Sequence, residues 1–220
     1  MNAPRQYELL IFDWDGTLMD SAGIIVDSIQ RACADLGLEV PSERASRQII
    51  GLGLAQALQT LLPDLEPDHY PQMVERYRHH YLGRDQDIPL FEGVESGIRD
   101  LHENGFQLAV ATGKSHLGLS RALQSSGLGP WFSATRTADQ THSKPHPAMV
   151  LELVEELGAD PQRTLVIGDT SHDLLMAASA RVASLGVTYG AHEAEDLLPH
   201  APLALMNSFH EVHAWLKANA

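Results

Sequence analysis

The sequence has 220 residues, 44% of them hydrophobic, which is enough to bury a substantial core as one large domain or as a core with a smaller insertion. Its 29 acidic against 15 basic side chains give a net charge of −14, which disfavours binding to nucleic-acid backbones and anionic lipid surfaces. We expect a soluble, cytoplasmic protein, because the sequence has a single cysteine, no signal-peptide pattern over Met1–Glu8 and no apolar run long enough to span a membrane.

Four short apolar runs predict buried strands, because each is too short for a helix and is followed by a polar or glycine-containing turn. They are Leu9–Phe12, Leu108–Ala111, Leu165–Ile167 and Ala183–Val187. Helical patterns between and after them cover residues 93–104, 115–126, 147–157 and 171–180. Strands that alternate with helices of this length predict a doubly wound parallel α/β sheet, in which ligands bind at the carboxyl ends of the strands.

One segment interrupts this alternation. From about Ser21 to Asp87 the pattern is helical, without a convincing strand. One predicted helix face carries Ile24, Ile25, Ser28, Ile29 and Ala32. Turn-forming residues near 17–20 and 85–89 predict linkers, so we expect a helical insertion after the first strand. The tail predicts a last strand over Leu203–Met206 and a closing helix over Phe209–Leu216.

Two aspartates follow the first predicted strand. Asp13 is ionised at neutral pH and needs no activating base to attack phosphorus. Asp15, two residues later, can protonate a leaving oxygen and then deprotonate water, while Gly16 lets the backbone bend and exposes its amide. A simple Asp-Gly turn that ends at Thr17 explains this segment alone equally well.

Two further strand ends offer groups that bind phosphate. Thr112 and Gly113 follow a buried strand and precede a helix, so the hydroxyl and the amides at the helix start can hold a phosphate oxygen. Lys144 lies before Pro145 and Pro147, which stiffen the backbone and allow a fixed positive charge between the nucleophile and the phosphate. Taken alone, Thr-Gly turns and surface lysines are common, and neither feature is specific.

Asp169 and Asp173 follow the third predicted strand and are one helical turn apart. Magnesium prefers oxygen ligands and typically takes one or two carboxylates besides water and substrate phosphate. Asp13, the carbonyl of Asp15 and Asp169 would suffice, with Asp173 binding through water or orienting Lys144. The competing interpretation is a helix start enriched in aspartate, which explains one carboxylate more easily than two.

Together, Asp13–Ser21, Ala111–Lys114, Ser143–Pro147 and Gly168–Asp173 resemble the four ordered motifs of the haloacid dehalogenase superfamily. The helical insertion looks like the cap of the subfamily that includes phosphoglycolate phosphatases. The resemblance implies a Rossmann-like core at residues 1–17 and 88–220, a helical cap at 18–87, Mg²⁺ and an aspartyl-phosphate intermediate.

The resemblance also implies individual roles. Asp13 would be nucleophile and metal ligand, Asp15 acid and base, Thr112 and Lys144 phosphate holders, and Asp169 and Asp173 the metal-binding end. Haloacid dehalogenases lack the second acid of the first motif, so Asp15 favours phosphoryl chemistry. The predicted catalytic residues are Asp13, Asp15, Thr112 and Lys144. The predicted substrate-binding residues are Gly16, Thr112, Gly113, Lys144 and Arg47. The predicted metal ligands are Asp13, Asp15, Asp169 and Asp173.

Some points stay open on sequence alone. Arg47, in a segment that resembles the cap loop closing over the site, is either a contact for a substrate carboxylate or second phosphate, or a surface arginine. Many relatives have Ala-Gly after the fourth motif, whereas here Ala180 is followed by Arg181. His79 and His80, like His142 and His146, lack ligand spacing and are expected to be solvated or packed in the cap.

The predicted function is a Mg²⁺-dependent phosphatase for a small phosphorylated metabolite, similar to phosphoglycolate or a sugar phosphate. A phosphomutase of the β-phosphoglucomutase type would share all four motifs, and a non-catalytic protein that binds a phosphorylated ligand is the third alternative. We expect no nucleic-acid or membrane partner, and a monomer or a homodimer.

Overall fold

The computed structural model describes residues 6–220, and within that range six parallel strands form one sheet in the order β3-β2-β1-β4-β5-β6. The strands are β1 (Leu9–Phe12), β2 (Gln107–Thr112), β3 (Ala134–Thr137), β4 (Thr164–Gly168), β5 (Ala183–Val187) and β6 (Leu205–Met206). The order reverses direction at β1, so the chain winds first to one side and then to the other. The prediction of a doubly wound α/β fold is confirmed.

Ten α-helices connect or follow the strands in the described part of the chain. They are α1 (Ala22–Asp35), α2 (Glu43–Gln48), α3 (Leu54–Leu61), α4 (Tyr70–Leu82), α5 (Val94–Glu103), α6 (His116–Ser126), α7 (Ala148–Leu157), α8 (Ser171–Ala180), α9 (Ala194–Leu197) and α10 (Phe209–Asn219). None of the helices in residues 6–220 has the length and apolar composition that a membrane crossing requires.

The side chains of strand β1 are buried on both faces of the sheet, which shows that the strand lies at the centre of the core. Leu10 and Phe12 belong to one apolar cluster, together with side chains of α5, α6 and α10. Leu9 and Ile11 belong to a second cluster, formed with α7 and α8. Alternate residues of a strand point to opposite faces, so an uninterrupted apolar run is what a strand covered by helices on both sides requires.

The four strands predicted from apolar runs are present, and the four core helices begin within one residue of the predicted positions or at them. Strand β3 was not predicted. It lies at the edge of the sheet, contains two threonines and an arginine, and is only partly buried in its middle. An edge strand needs no continuous apolar run, so its sequence does not distinguish it from a loop.

Helices α1 to α4 all lie between β1 and β2, and no strand interrupts them. They enclose an apolar cluster of their own, which includes Ile25, Ile29, Leu58 and Met73. The predicted face of α1 is buried except for Ile24, which is partly exposed and packs against the sheet's cluster instead. The division into a core and a cap at residues 18–87 stays a prediction, and we refer to α1–α4 as the helical insertion.

Candidate active site

Parallel pairing brings three of the predicted site segments to one edge of the sheet. Phe12 of β1 is in register with Val110 of β2 and with Ile167 of β4. The chain therefore leaves all three strands on the same side, and Asp13 donates its backbone N–H to the Ile167 carbonyl at 2.9 Å. This is the crevice where doubly wound sheets bind their ligands.

Lys144 lies between two of the predicted aspartates. Its Nζ is 2.6 Å from Asp13 Oδ1 and 2.6 Å from Asp173 Oδ1, and the lysine side chain is completely buried. Burial opposes the charge of the ammonium, but the two carboxylates outweigh it and raise the pKa of Lys144 above its ordinary value. The ammonium is therefore a fixed positive charge beside Asp13.

Asp169 is held by groups from two other segments. Its Oδ1 accepts from the Thr17 hydroxyl at 2.9 Å, and its Oδ2 accepts from the Ala191 N–H at 2.7 Å. Gly16 makes this approach possible, because its φ of +81° is unfavourable for other residues and a Cβ there would lie 2.1 Å from Asp169 Oδ2. The glycine of the first motif therefore places the backbone directly against the carboxylate of the fourth.

The Asp173 side chain has two roles in the structure. Its Oδ2 accepts from the Thr170 N–H at 3.1 Å and from the Thr170 hydroxyl at 2.6 Å, which caps the start of α8. Its Oδ1 contacts the Lys144 ammonium. Asp173 therefore contacts both the start of α8 and Lys144 with different oxygens of one carboxylate, and its role at a metal stays a prediction.

Asp13, Asp169 and Asp173 are buried, and each offers a carboxylate oxygen within 4.8 Å of the others. With all three carboxylates ionised, the single ammonium of Lys144 would leave two negative charges in a site nearly excluded from water. Burial, and then the Asp173 carboxylate, raise the pKa of Asp169 to about 7. Burial also raises the pKa of Asp13 well above its usual range, in spite of Lys144.

The residues present fit a divalent cation. Asp13 Oδ2 is buried and accepts no hydrogen bond within the described chain, so one carboxylate oxygen of the cluster has no partner there. The donors are carboxylate oxygens, which suit a hard cation such as Mg²⁺. Two positive charges would balance the excess that remains after Lys144.

Asp15 lies apart from this cluster and has different partners. Its Oδ1 accepts from the Ser21 hydroxyl at 2.6 Å and lies 3.0 Å from Lys114 Nζ. Neither partner was predicted from the sequence. The position of Lys114 immediately after Thr112 and Gly113 was the available indication that it lies near the site.

Thr112 is buried at the end of β2, and its hydroxyl accepts from the Lys114 N–H at 3.2 Å. Gly113 lies against the helical insertion, because a Cβ at this position would be 2.5 Å from the carbonyl oxygens of both Gly51 and Leu52. The loop before α3 therefore covers the segment that was predicted to hold phosphate.

Further contacts connect the same loop to the sheet's edge. The Gly53 N–H donates to the Ser143 hydroxyl at 2.7 Å, and His172 Nε2 is 2.9 Å from the Gln48 carbonyl. The Arg47 guanidinium pairs with Glu43 at 2.9 Å and donates to the Gly190 carbonyl at 3.3 Å. Arg47 thus lies over the site's border with its side chain 29% exposed, and a substrate contact by this residue stays a prediction.

The predicted non-ligand histidines lie elsewhere. His80 pairs with Asp35 at 2.7 Å in the helical insertion, beside His79, and His142 lies next to the ring of His146 in a loop. None of the four belongs to the carboxylate cluster, which is the one potential metal-binding group among the described residues. Cys33 is buried in the insertion's apolar cluster.

The chain matches the family model for haloacid dehalogenase-like hydrolases over residues 10–187. It therefore belongs to this family, and it is an enzyme of the family's phosphatase type. The matched region begins in β1 and ends at the last residue of β5, so it contains the segments that carry Asp13, Thr112, Lys144 and Asp169.

Among curated relatives, the chain is 38% identical to "Probable phosphatase IndB" of Dickeya dadantii, over 96% of each chain. It is 33% identical to the phosphoglycolate phosphatase of Agrobacterium fabrum, over 83% of this chain and 81% of the relative. Among solved structures, a predicted phosphoglycolate phosphatase from Haemophilus somnus superimposes with a TM-score of 0.87 and 27% identity, over 99% of this chain and all of the other.

Proposed function

We propose that this chain is a Mg²⁺-dependent phosphatase that transfers the phosphoryl group of a small phosphomonoester to Asp13 and then hydrolyses the aspartyl phosphate. The observation that carries the proposal is the buried arrangement of Lys144 between Asp13 and Asp173, with Asp169 completing the carboxylate cluster. A purely structural ion pair would not need two excess carboxylates in the same buried volume, because burying an unbalanced charge is costly.

Asp13 is the nucleophile in this mechanism. One of its carboxylate oxygens forms a bond to phosphorus while the bond from phosphorus to the ester oxygen breaks. Lys144 holds the carboxylate in position and contributes positive charge where the phosphoryl oxygens accumulate negative charge. Because both groups are buried, this attraction is stronger than it would be in water.

Asp15 is the proton donor and acceptor. As the ester bond breaks, its carboxyl gives a proton to the departing oxygen, which carries the electron pair of the broken bond. In the second half of the reaction the carboxylate removes a proton from the water that attacks the phosphorus of the aspartyl phosphate. Its position two residues after Asp13, on a turn shaped by Gly16, would place the Asp15 carboxyl beside the ester oxygen while the Asp13 carboxylate faces the phosphorus.

The remaining predicted residues would bind the phosphate and the metal. Mg²⁺ held by Asp13, Asp169 and the Asp15 carbonyl, with Asp173 at the same end, would neutralise the charge of the transferring phosphoryl group. We assign the Thr112 hydroxyl and the amides of Gly16 and Gly113 to the phosphoryl oxygens.

Three observations support a small substrate. The loop from Gly51 to Gly53 lies against Gly113 and Ser143, so little space separates the helical insertion from the sheet's edge. The similar protein from Agrobacterium fabrum is named phosphoglycolate phosphatase, and the one from Haemophilus somnus is described as a predicted phosphoglycolate phosphatase. Arg47 at the border of the site offers a cation for a substrate carboxylate or second phosphate. We therefore propose a small anionic or sugar phosphate as substrate, and a cytoplasmic location, which a single unpaired cysteine fits.

The test is a panel of phosphomonoesters with Mg²⁺, ranked by kcat/KM, that includes phosphoglycolate, sugar phosphates, nucleoside monophosphates and pyrophosphate. We expect release of inorganic phosphate, loss of activity on chelation and loss of turnover in Asp13→Asn. Conversion of a sugar phosphate into its isomer, dependent on a sugar bisphosphate, would instead identify a mutase. Magnesium-dependent turnover that persists in Asp13→Asn would overturn the mechanism.

A further inference from the structure

Lys114 carries a nearly buried ammonium in the loop between β2 and α6, with two partners. Nζ lies 3.0 Å from Asp15 Oδ1 and donates to the Tyr81 hydroxyl at 2.7 Å, and the side chain is 10% exposed. Burial opposes the charge, but Asp15 and then Tyr81 outweigh it and raise the pKa of Lys114 above its ordinary value. The ammonium is therefore permanently charged and held at a fixed place.

Both groups that hold the Asp15 side chain act on the same oxygen. The Ser21 hydroxyl donates to Oδ1 at 2.6 Å, and the Lys114 ammonium contacts the same Oδ1. Within the described chain no hydrogen bond reaches Oδ2. Two contacts on one oxygen fix the plane of the carboxyl group and leave the other oxygen available for proton transfer.

Tyr81 connects this arrangement to the helical insertion. It lies at the C-terminal end of α4 and stacks on Tyr77 with ring centroids 5.7 Å apart. Burial raises the pKa of Tyr81, so its hydroxyl is neutral and serves as the acceptor for Lys114. The ammonium thus bridges a side chain of the insertion and a side chain of the sheet's edge.

We propose that Lys114 is a positioning residue for Asp15, and that Tyr81 holds Lys114 in the position where it can do this. The inference rests on the proposed phosphatase function. Through Oδ1, Lys114 orients the carboxyl so that its free oxygen meets the departing ester oxygen. The step it serves is the one in which phosphorus bonds to Asp13, the ester bond breaks, and the proton of Asp15 passes to the released oxygen.

A comparison of two leaving groups separates this role from a merely structural one. A nitrophenolate leaves without protonation, whereas an alkoxide needs a proton as it departs. The parameter kcat/KM covers steps up to formation of the aspartyl phosphate, so it excludes the later hydrolysis, which also uses Asp15. We would measure it for p-nitrophenyl phosphate and for the best alkyl phosphate of the substrate panel.

We expect Lys114→Met to lower kcat/KM for the alkyl ester, with a loss about 10- to 100-fold greater than any loss for p-nitrophenyl phosphate. A factor of this size is part of the full effect of a general acid. Tyr81→Phe should show the same preference with a loss of about 3- to 10-fold, because the ammonium loses one anchor and keeps the other. Two matched controls should leave both values unchanged. Lys217→Met removes a surface lysine paired with Asp100, and Tyr70→Phe removes a hydroxyl bonded within the insertion.

Equal losses on both esters, or no loss, would overturn the role of Lys114. If Lys114→Met does not fold, Tyr81→Phe decides: a loss confined to the alkyl ester supports the proposal, and unchanged or uniform kinetics refute it. Failure of the proposed phosphatase function is distinguishable, because the unaltered enzyme would then release no phosphate from either ester.

Discussion

Replacing Lys144 with methionine tests the charge balance of the carboxylate cluster. Methionine fills a similar volume, so the main change is the loss of the ammonium that lies 2.6 Å from both Asp13 and Asp173. Removal of one partner from a buried ion pair typically costs about 3–5 kcal/mol, because the remaining charge is buried without compensation. Here the carboxylates can protonate, so we take the lower end, about 3 kcal/mol. For a chain of this size, that corresponds to a decrease in Tm of roughly 6–12 °C.

The pH dependence of this loss follows from the direction of the shifts. Without the lysine, Asp13 and Asp169 would have folded-state pKa values even higher than the raised ones they have now, against ordinary values of 3.8. A raised carboxylate pKa destabilises the fold at high pH, and this penalty disappears as the pH falls through the raised pKa. The loss should therefore be larger at about pH 8 than at about pH 5.

Urea denaturation without Mg²⁺ at both pH values measures the free energy of unfolding for each protein. Lys217→Met is the matched control, because Lys217 pairs with Asp100 on the surface with 42% of its side chain exposed. We expect a loss below about 0.5 kcal/mol for that variant. A Lys144→Met protein as stable as the unaltered one at about pH 8 would refute the reasoning, and so would a loss that does not depend on pH.

Three further results are expected. Arg181→Gly should raise the free energy of unfolding by about 0.5–1 kcal/mol in urea denaturation, because Arg181 ends α8 with φ +60°, where glycine is unstrained. A lower free energy of unfolding in this variant would contradict the prediction. Mg²⁺ should raise Tm more at about pH 8 than at about pH 5, because Asp169, with a folded pKa of about 7, must be ionised to bind the cation. An equal rise in Tm at both pH values would contradict this prediction, and so would an unchanged rise in the Asp169→Asn variant. Gly16→Ala should lower kcat/KM at least about 100-fold in the phosphate-release assay, because the added Cβ meets the Asp169 carboxylate; an active variant would show that this contact is dispensable.

The sheet and the proximity of the polar turns at its edge could both be predicted from the sequence, and both predictions depend on the same pattern. Residues such as Asp13 and Asp169 directly follow buried strands, and the parallel arrangement brings the ends of those strands together. Their convergence therefore depends on a pattern that is local in the sequence. Strand β3 lacked this pattern, because an edge strand with polar side chains has no continuous apolar run.

The contacts between distant segments could not be predicted in the same way. Lys114 meets Tyr81 only because the helical insertion packs against the loop after β2, and nothing local in either segment specifies that contact. The same holds for Arg47, whose guanidinium reaches the Gly190 carbonyl in a segment far away in the sequence. By contrast, the departure at Arg181 was visible in the sequence, and the structure gives its physical meaning as a left-handed helix end without glycine.

The central claim is that Asp13 carries the phosphoryl group, and trapping that intermediate tests it most directly. In Asp15→Asn with p-nitrophenyl phosphate, the leaving group needs no proton but the attacking water lacks its base, so the aspartyl phosphate should accumulate. Acid quenching followed by peptide mass spectrometry should then show one added phosphoryl group on the peptide that contains Asp13. Release of nitrophenolate by this variant with no phosphoryl group on that peptide, or with the group on another residue, would contradict the account.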